Sequence, residues 1–189
     1  MGVNKLALPV GTMTVGSLAL ETALKSSLDK VYIITKVEDH VDWLPAEMKF
    51  DTRCTFIKCP TVHEGQSETL RYGIQQAQTD RADAVIVMLA DQPFITVKLL
   101  EGMISCKKNN PACRFVATTN EQTIMPPVLF SSSMYTELLE LHGDKGARAI
   151  LQGDFLQKGK LLPCADKRLV FDVDTEADYD TFQSIEKTK

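Results

Sequence analysis

Long apolar runs, paired cysteines and concentrated positive charge are all missing from this 189-residue sequence. No stretch reaches the roughly 18 apolar residues that cross a bilayer, and the opening Met1-Gly2-Val3-Asn4-Lys5 lacks the charged-then-apolar order of a secretory signal. A cytoplasmic protein with no membrane partner is expected. Lys and Arg number 21 against 25 Asp and Glu and are scattered, so no basic stripe exists to neutralise a phosphate backbone. Nucleic acid is therefore not expected as a partner. The five cysteines are odd in number and contain no Cys-x-x-Cys, which argues against a disulfide framework or a zinc ribbon and for buried reduced thiols. His40, His63 and His142 have no metal-ligand spacing, and neither Gly-x-Ser-x-Gly nor a Walker sequence occurs. No cysteine sits in a nucleophile setting, so covalent catalysis has no candidate and an enzyme of this sequence would lean on a metal.

What is present suits one compact domain. The chain is 44% hydrophobic and shows no repeat, low-complexity segment or Pro/Gly/Ser-rich linker, so a single domain over 1–189 is expected. Lys30–Thr35, Thr55–Lys58, Ala84–Leu89 and Arg114–Thr118 are short β-branched runs that read as strands. Ala84–Leu89 is continuously apolar, the pattern of a strand covered on both faces, and is predicted in mid-sheet. Ser17–Ser27, Ser67–Gln78, a segment capped by Thr96 and running through Lys107, Ser131–Leu141 and Ala147–Gln152 read as helices. Asp174 or Thr175 can cap a last helix reaching about Glu186. The alternation predicts a three-layer α/β/α sandwich with a mainly parallel sheet, whose ligands would sit beyond the carboxyl ends of the strands.

Several residues could carry chemistry there. Asp91 ends the apolar strand and is followed by Gln92-Pro93, so it either begins a turn or anchors a hard cation such as Mg²⁺ at the sheet edge. In Asp172-Val173-Asp174-Thr175-Glu176-Ala177-Asp178, helix capping accounts for Asp174, Glu176 and Asp178 but not for Asp172, which lies between apolar Phe171 and Val173. Lys5 reads either as a solvated lysine or as a point charge for a phosphate. Gly65-Gln66-Ser67-Glu68 either caps a helix through Ser67 or offers donors to an anion or a base edge.

Taken together, these segments resemble a known family. They are Met1-Gly2-x-x-Lys5-Leu6-x-Leu8-Pro9-x-Gly11, Gly65-Gln66-Ser67-x-x-Leu70-x-x-Gly73, Leu89-Ala90-Asp91-Gln92-Pro93, Pro126-Pro127-Val128-Leu129-Phe130, Gly143-Asp144-Lys145-Gly146-Ala147-Arg148 and Asp172 to Tyr179. In this order, and over nearly the whole chain, they resemble the MobA-like nucleotidyltransferases. Within that family the likeness is to the molybdenum cofactor cytidylyltransferases and the xanthine dehydrogenase accessory proteins of the PucB type. The resemblance implies a Rossmann-like nucleotide-diphospho-sugar transferase fold. It also implies Mg²⁺-dependent transfer of CMP from CTP to molybdopterin with release of pyrophosphate, in support of xanthine dehydrogenase maturation in purine catabolism. By the same resemblance Lys5 and Asp91 would be catalytic, and Lys5, Gly65, Ser67 and Asp91 would hold the nucleotide. Gly143, Asp144, Gly146 and Arg148 would face the pterin. The metal would sit on Asp91 with Asp172 or Asp174, and Asp172 is the preferred second acid because the first acid of the corresponding family pattern is the ligand. Guanylyl transfer from GTP, a sugar-phosphate acceptor, or a non-catalytic protein delivering cofactor to a dehydrogenase subunit are the alternatives. The family signature opens with a strand and Leu-Ala-Ala-Gly-x-Ser-x-Arg before the Met-Gly at which this sequence starts. The first central strand and the triphosphate loop are thus expected to be missing, with neighbouring strands closing the gap or another segment filling it.

Overall fold

The computed structural model describes residues 4–120, 123–144 and 146–186; Met1 and Gly2 of the first motif and Lys145 of the Gly143–Arg148 motif lie outside them. The chain opens with a short antiparallel pair, β1 (Pro9–Val10) and β2 (Met13–Thr14), which leads into α1 (Val15–Lys25). Thr14 and Ser17 cap α1 reciprocally, each side chain accepting from the other's backbone N–H, so the helix starts two residues before Ser17. Then follow β3 (Val31–Thr35), α2 (Ala46–Lys49), β4 (Cys54–Lys58), α3 (Gln66–Thr79), β5 (Ala84–Val87) and α4 (Val97–Asn109). The second half holds β6 (Phe115–Asn120), β7 (Thr123–Ser131), α5 (Tyr135–Leu139), β8 (Lys160–Pro163) and α6 (Glu176–Glu186).

The period of two along β6 and β7 builds the layers. Phe115, Ala117, Val128 and Phe130 point to one face, where they pack with Ile74 and Ala77 of α3 and with Tyr135 and Leu138 of α5. Val116 and Leu129 point to the other, against Met103 of α4 and Cys113. Helices thus cover both faces of this sheet, as the three-layer reading requires. Each fully buried phenylalanine contributes roughly 1.5–3 kcal/mol of burial.

The sheet itself departs from expectation in two respects. It is not mainly parallel: β3 pairs with β4 and β6 with β8 in parallel, but β7 runs antiparallel to both β5 and β6. Because β7 follows β6 almost at once, it can only return antiparallel, and the parallel crossover that an alternating strand–helix pattern suggests is not available there. Nor is Ala84–Val87 in mid-sheet. It ends the ladder β5-β7-β6-β8, while β3 and β4 form a separate pair. Among the described residues no strand joins β3 to β5, so the expected closing or filling of the gap does not occur. The physical trace is burial: every residue of β5, and all but Thr35 of β3, is only half-buried despite an apolar sequence. What spans the two sheets is α3, which packs on β3 and β5 alike. Its carboxyl end is held to β3 through Asp80, which accepts hydrogen bonds from Lys30 Nζ (2.6 Å) and the Tyr32 hydroxyl (2.7 Å). An acid at a helix carboxyl end works against the dipole, and the Lys30 ammonium offsets it.

Ala147–Gln152 also differs from its reading, forming a 3-10 turn over Ala147–Ile150 rather than an α-helix.

Candidate active site

The site is built where the beginning, middle and end of the chain meet. Lys5 lies in a 3-10 turn, Lys5–Ala7, whose first N–H groups are capped by Asn4: its side chain accepts from Leu6 N at 3.1 Å. Leu6 packs into the cluster of Leu20, Trp43, Leu44 and Met48, which fixes the turn against α1. Asp91 follows β5 in a turn that continues to Phe94, and Phe94 is buried with Val15, Val173 and Phe182. The Phe94 ring meets Phe182 at 5.1 Å and Phe171 at 6.0 Å between centroids. The Asp91 carbonyl accepts from Val173 N at 3.0 Å, and the Tyr179 hydroxyl donates to the Pro9 carbonyl at 2.5 Å. An aromatic core and backbone bonds thereby set Asp91 and the acidic segment before α6 side by side.

The acids are then joined by Lys5. Its Nζ donates to Asp91 Oδ2 at 2.5 Å and to Asp174 Oδ1 at 2.6 Å. Burial works against the ammonium, but the hydrogen bonds to Asp174 and Asp91 outweigh it and hold the Lys5 pKa above the ordinary lysine value. Asp174 is therefore not the helix cap. That role falls to Thr175, whose Oγ1 accepts from Asp178 N at 3.1 Å while Asp178 Oδ2 accepts from Thr175 N at 2.8 Å. Asp174 shares the ammonium with Asp91, and Asp172, the acid that the sequence prefers, lies deeper beside them. Because Thr175 completes the cap, the Asp174 side chain is released toward Lys5.

Asp172 still belongs to the same charged group. Burial pushes its carboxyl above the ordinary range, and the charges of Asp91 and Asp174 push the same way against the pull of neighbouring Gln92 and of Lys5. Asp91 Oδ1, Asp172 Oδ1 and both polar atoms of the Gln92 amide are buried without a well-formed hydrogen bond. Gln92 is fully buried. Among the described residues no three His, Cys, Asp or Glu side chains stand ready-made as a metal cage.

A raised carboxyl pKa has a definite sign. The native state holds the Asp172 proton more tightly than the unfolded chain, so this group favours folding below its unfolded pKa, and that contribution is lost as pH rises through the folded value. Asp172→Asn is thus expected to raise Tm at pH 7 by a few degrees. The gain should disappear in thermal melts run toward about pH 4, the ordinary carboxylate range.

The two glycine motifs come together at a second place. Gly65, with φ +123°, precedes α3, and a Cβ there would lie 2.3 Å from Gly143 C and 2.4 Å from Gly143 O. Ser67 N donates to the Gly143 carbonyl at 3.1 Å, and Gly146 approaches Gln66 Oε1 closely enough that a Cβ would stand 2.9 Å from it. Ser67 is not the cap of α3; it lies inside the first turn, fully buried, with its hydroxyl unpartnered. Gly65 takes the cap position because only a residue without Cβ fits against Gly143. Asp144 adjoins this contact through its backbone N, and Arg148 sits in the 3-10 turn that follows. Sequence reasoning missed Glu68 and Arg71 of α3. Glu68 accepts from the Thr61 hydroxyl at 2.9 Å and meets Arg71 Nη1 at 3.1 Å, while Arg71 Nη2 donates to the Leu141 carbonyl at 3.0 Å. The signal available was a Glu and an Arg three apart near a helix start, a spacing that usually marks a solvated pair.

The thiols stay outside this chemistry. Burial pushes Cys54, Cys113 and Cys164 up, away from the thiolate form a nucleophile needs.

Two places thus stand out in this α/β protein, the glycine contact at the start of α3 and the carboxylates gathered around Lys5 after β5. Comparison with known proteins gives the class, a nucleotidyltransferase: residues 1–160 match the MobA-like NTP transferase domain, and the chain belongs to that family. It is 33% identical over 184 residues to the purine catabolism protein PucB of Bacillus subtilis strain 168, covering 95% of this chain and 88% of that protein. A cytidylyltransferase from Leptospira borgpetersenii superposes with a TM-score of 0.75 at 19% identity, over 98% of this chain and 80% of the other. Rv0371c of Mycobacterium tuberculosis, in a complex with manganese, does so with a TM-score of 0.69 at 21% identity, over 95% and 91%. No helix among the described residues is long and apolar enough to cross a membrane.

Proposed function

We propose that this protein transfers CMP from CTP to the terminal phosphate of molybdopterin, releasing pyrophosphate, in support of a xanthine dehydrogenase-type enzyme of purine catabolism. The observation that carries the reading is the convergence of Lys5, Asp91 and Asp174 at the carboxyl edge of the sheet, with Lys5 bridging the two acids. Similarity to PucB supports the metabolic setting.

The residues fit a divalent cation. All donors are hard oxygens, one cation already bridges two of them, and Asp91 Oδ1 and Asp172 Oδ1 are buried with no partner. Asp91 and Asp174 would hold the ion, with Asp172 behind them; that Rv0371c is known in a complex with manganese supports a divalent metal. When bound, such an ion supplies charge stabilisation at the phosphates.

The chain's own part is binding and electrostatics. A terminal phosphate oxygen of the acceptor attacks the α-phosphorus of CTP; the new P–O bond forms as the bond to the β-phosphate oxygen breaks, and pyrophosphate leaves with that electron pair. The attacking oxygen is already anionic at neutral pH, so no base is needed to deprotonate it. Lys5 neutralises charge that grows on the leaving pyrophosphate. At the Gly65–Ser67 start of α3 the unpartnered Ser67 hydroxyl would face the nucleotide side. Gly143 and Gly146 close over the same helix start and, with Asp144 and Arg148, would face the pterin.

The deciding experiment incubates the protein with molybdopterin, Mg²⁺ and α-labelled CTP or GTP. Label from CTP in a molybdopterin dinucleotide, with equimolar pyrophosphate, is expected. Label from GTP alone would make it a guanylyltransferase, and pterin binding without any pyrophosphate would leave a delivery protein.

A further inference from the structure

We propose that Lys5 is a built-in competitor for the divalent cation: its ammonium takes the cation's position on Asp91 and Asp174 in the resting protein and is exchanged when metal and triphosphate arrive together. The proposal rests on the nucleotidyl-transfer reading only for the identity of the metal position.

The geometry leads there directly. Asp91 and Asp174 come from the middle and the end of the chain, and the Lys5 ammonium is in direct contact with both, at 2.5 and 2.6 Å. A hard divalent ion held between the same two carboxylates would lie roughly 2.0–2.1 Å from their oxygens, against an ammonium of its own charge sign, so the ion and the ammonium exclude each other there. The competitor also stabilises what it blocks. The charges of Asp91 and Asp174 work against ionisation of Asp172, and Lys5, in contact with Asp91 and Asp174, offsets them. It keeps the acids gathered when no metal is bound. Two further atoms mark the place as a ligand site rather than a plain ion pair: Asp91 Oδ1 and Asp172 Oδ1 are buried with no hydrogen-bond partner, beside the fully buried amide of Gln92.

Release requires only side-chain motion. The backbone of Lys5 is held by the Asn4 cap and by Leu6 in the Trp43 cluster, whereas its four-carbon stem has free rotamers and its side chain is one-third exposed. Metal alone must therefore displace the ammonium into water beside a new positive charge. A triphosphate offers the displaced ammonium an anion, so each ligand tightens the other by the same factor. Weak binding of either ligand alone and strong binding of both follow from one lysine.

The test uses Mn²⁺ alone and then Mn²⁺ with inorganic tripolyphosphate, so it does not depend on catalytic turnover. Calorimetric titration should show Lys5→Met binding Mn²⁺ at least about tenfold tighter than wild type, with Lys5→Arg close to wild type because the charge is kept. On the wild-type protein, acetylation of the Lys5 amine read by mass spectrometry should be slow at rest, accelerate with Mn²⁺ alone, and slow again when tripolyphosphate is added. Equal or weaker Mn²⁺ binding by Lys5→Met, or Lys5 labelling that ignores Mn²⁺, would overturn the exchange while leaving nucleotidyl transfer intact. Failure of Mn²⁺ to bind any of the three proteins would overturn both the exchange and the metal assignment. If Lys5→Met does not fold, the labelling series on wild type decides alone.

Discussion

Asp91→Asn is expected to cut the turnover of nucleotidyl transfer roughly 10³-fold, the loss typical of removing one group aimed at transition-state charge. The amide that replaces the carboxylate still fills the turn before Pro93, and the backbone bond from Val173 N to the Asp91 carbonyl does not involve the side chain. The fold should therefore survive. What disappears is one of the two formal charges that contact Lys5 and would hold the cation. Because the metal acts on charge that grows along the reaction, the loss should appear in kcat far more than in KM for CTP. Tm should stay near the wild-type value, since removing one of three crowded carboxylates relieves repulsion while it weakens the contact to Lys5. Steady-state kinetics with both substrates varied, beside a thermal melt, is the measurement. Turnover within threefold of wild type would show that Asp91 is not the anchor and would shift that role to Asp174.

Much of this was legible before any coordinates, because the residues that carry it obey local rules. The runs at Val31–Thr35, Cys54–Lys58 and Ala84–Val87 are strands close to where β-branched content puts them, and α3, α4 and α6 lie close to where helical spacing and caps put them. Lys5 and Asp91 were identified individually and prove to touch. What was not legible depends on partners far away in sequence. The position of β5 at the end of its ladder is decided by which strands find it, and a continuous apolar run reads the same at an edge as in the middle. β7 escaped because Pro126 and Pro127 lie inside it, and proline argues against a strand interior. Where the Asp174 side chain goes turns on the cap. Once Thr175 and Asp178 satisfy the start of α6, Asp174 is free to reach Lys5, and nothing in the spacing of the acids reveals which residue the helix will take.

The second large effect is expected at Gly65, with Gly143 as its control. Both glycines have positive φ, +123° and +66°, so any L-residue is strained at either position. Around Gly143 the space a Cβ would fill is open, and Gly143→Ala should cost about 1–2 kcal/mol, the left-handed penalty alone. At Gly65 the methyl group would stand 2.3 Å from Gly143 C and 2.8 Å from Asp144 N, and these are backbone atoms that cannot rotate away. Either the start of α3 or the Gly143 turn has to move. That movement also breaks the bond from Ser67 N to the Gly143 carbonyl and disturbs the Arg71 contact to the Leu141 carbonyl. Overpacking of this kind costs roughly 3 kcal/mol or more, which in a chain of this length lowers Tm by about 6–12 °C. The functional loss should be greater still, since the two segments that would receive the nucleotide and the pterin are forced apart. Thermal melts of both variants together with CTP binding by calorimetry distinguish the cases: Gly143→Ala is expected to lose a few degrees and keep binding, and Gly65→Ala to lose both. If Gly65→Ala melts and binds like Gly143→Ala, the close approach of α3 to the Gly143 turn is not what joins the two halves of the site.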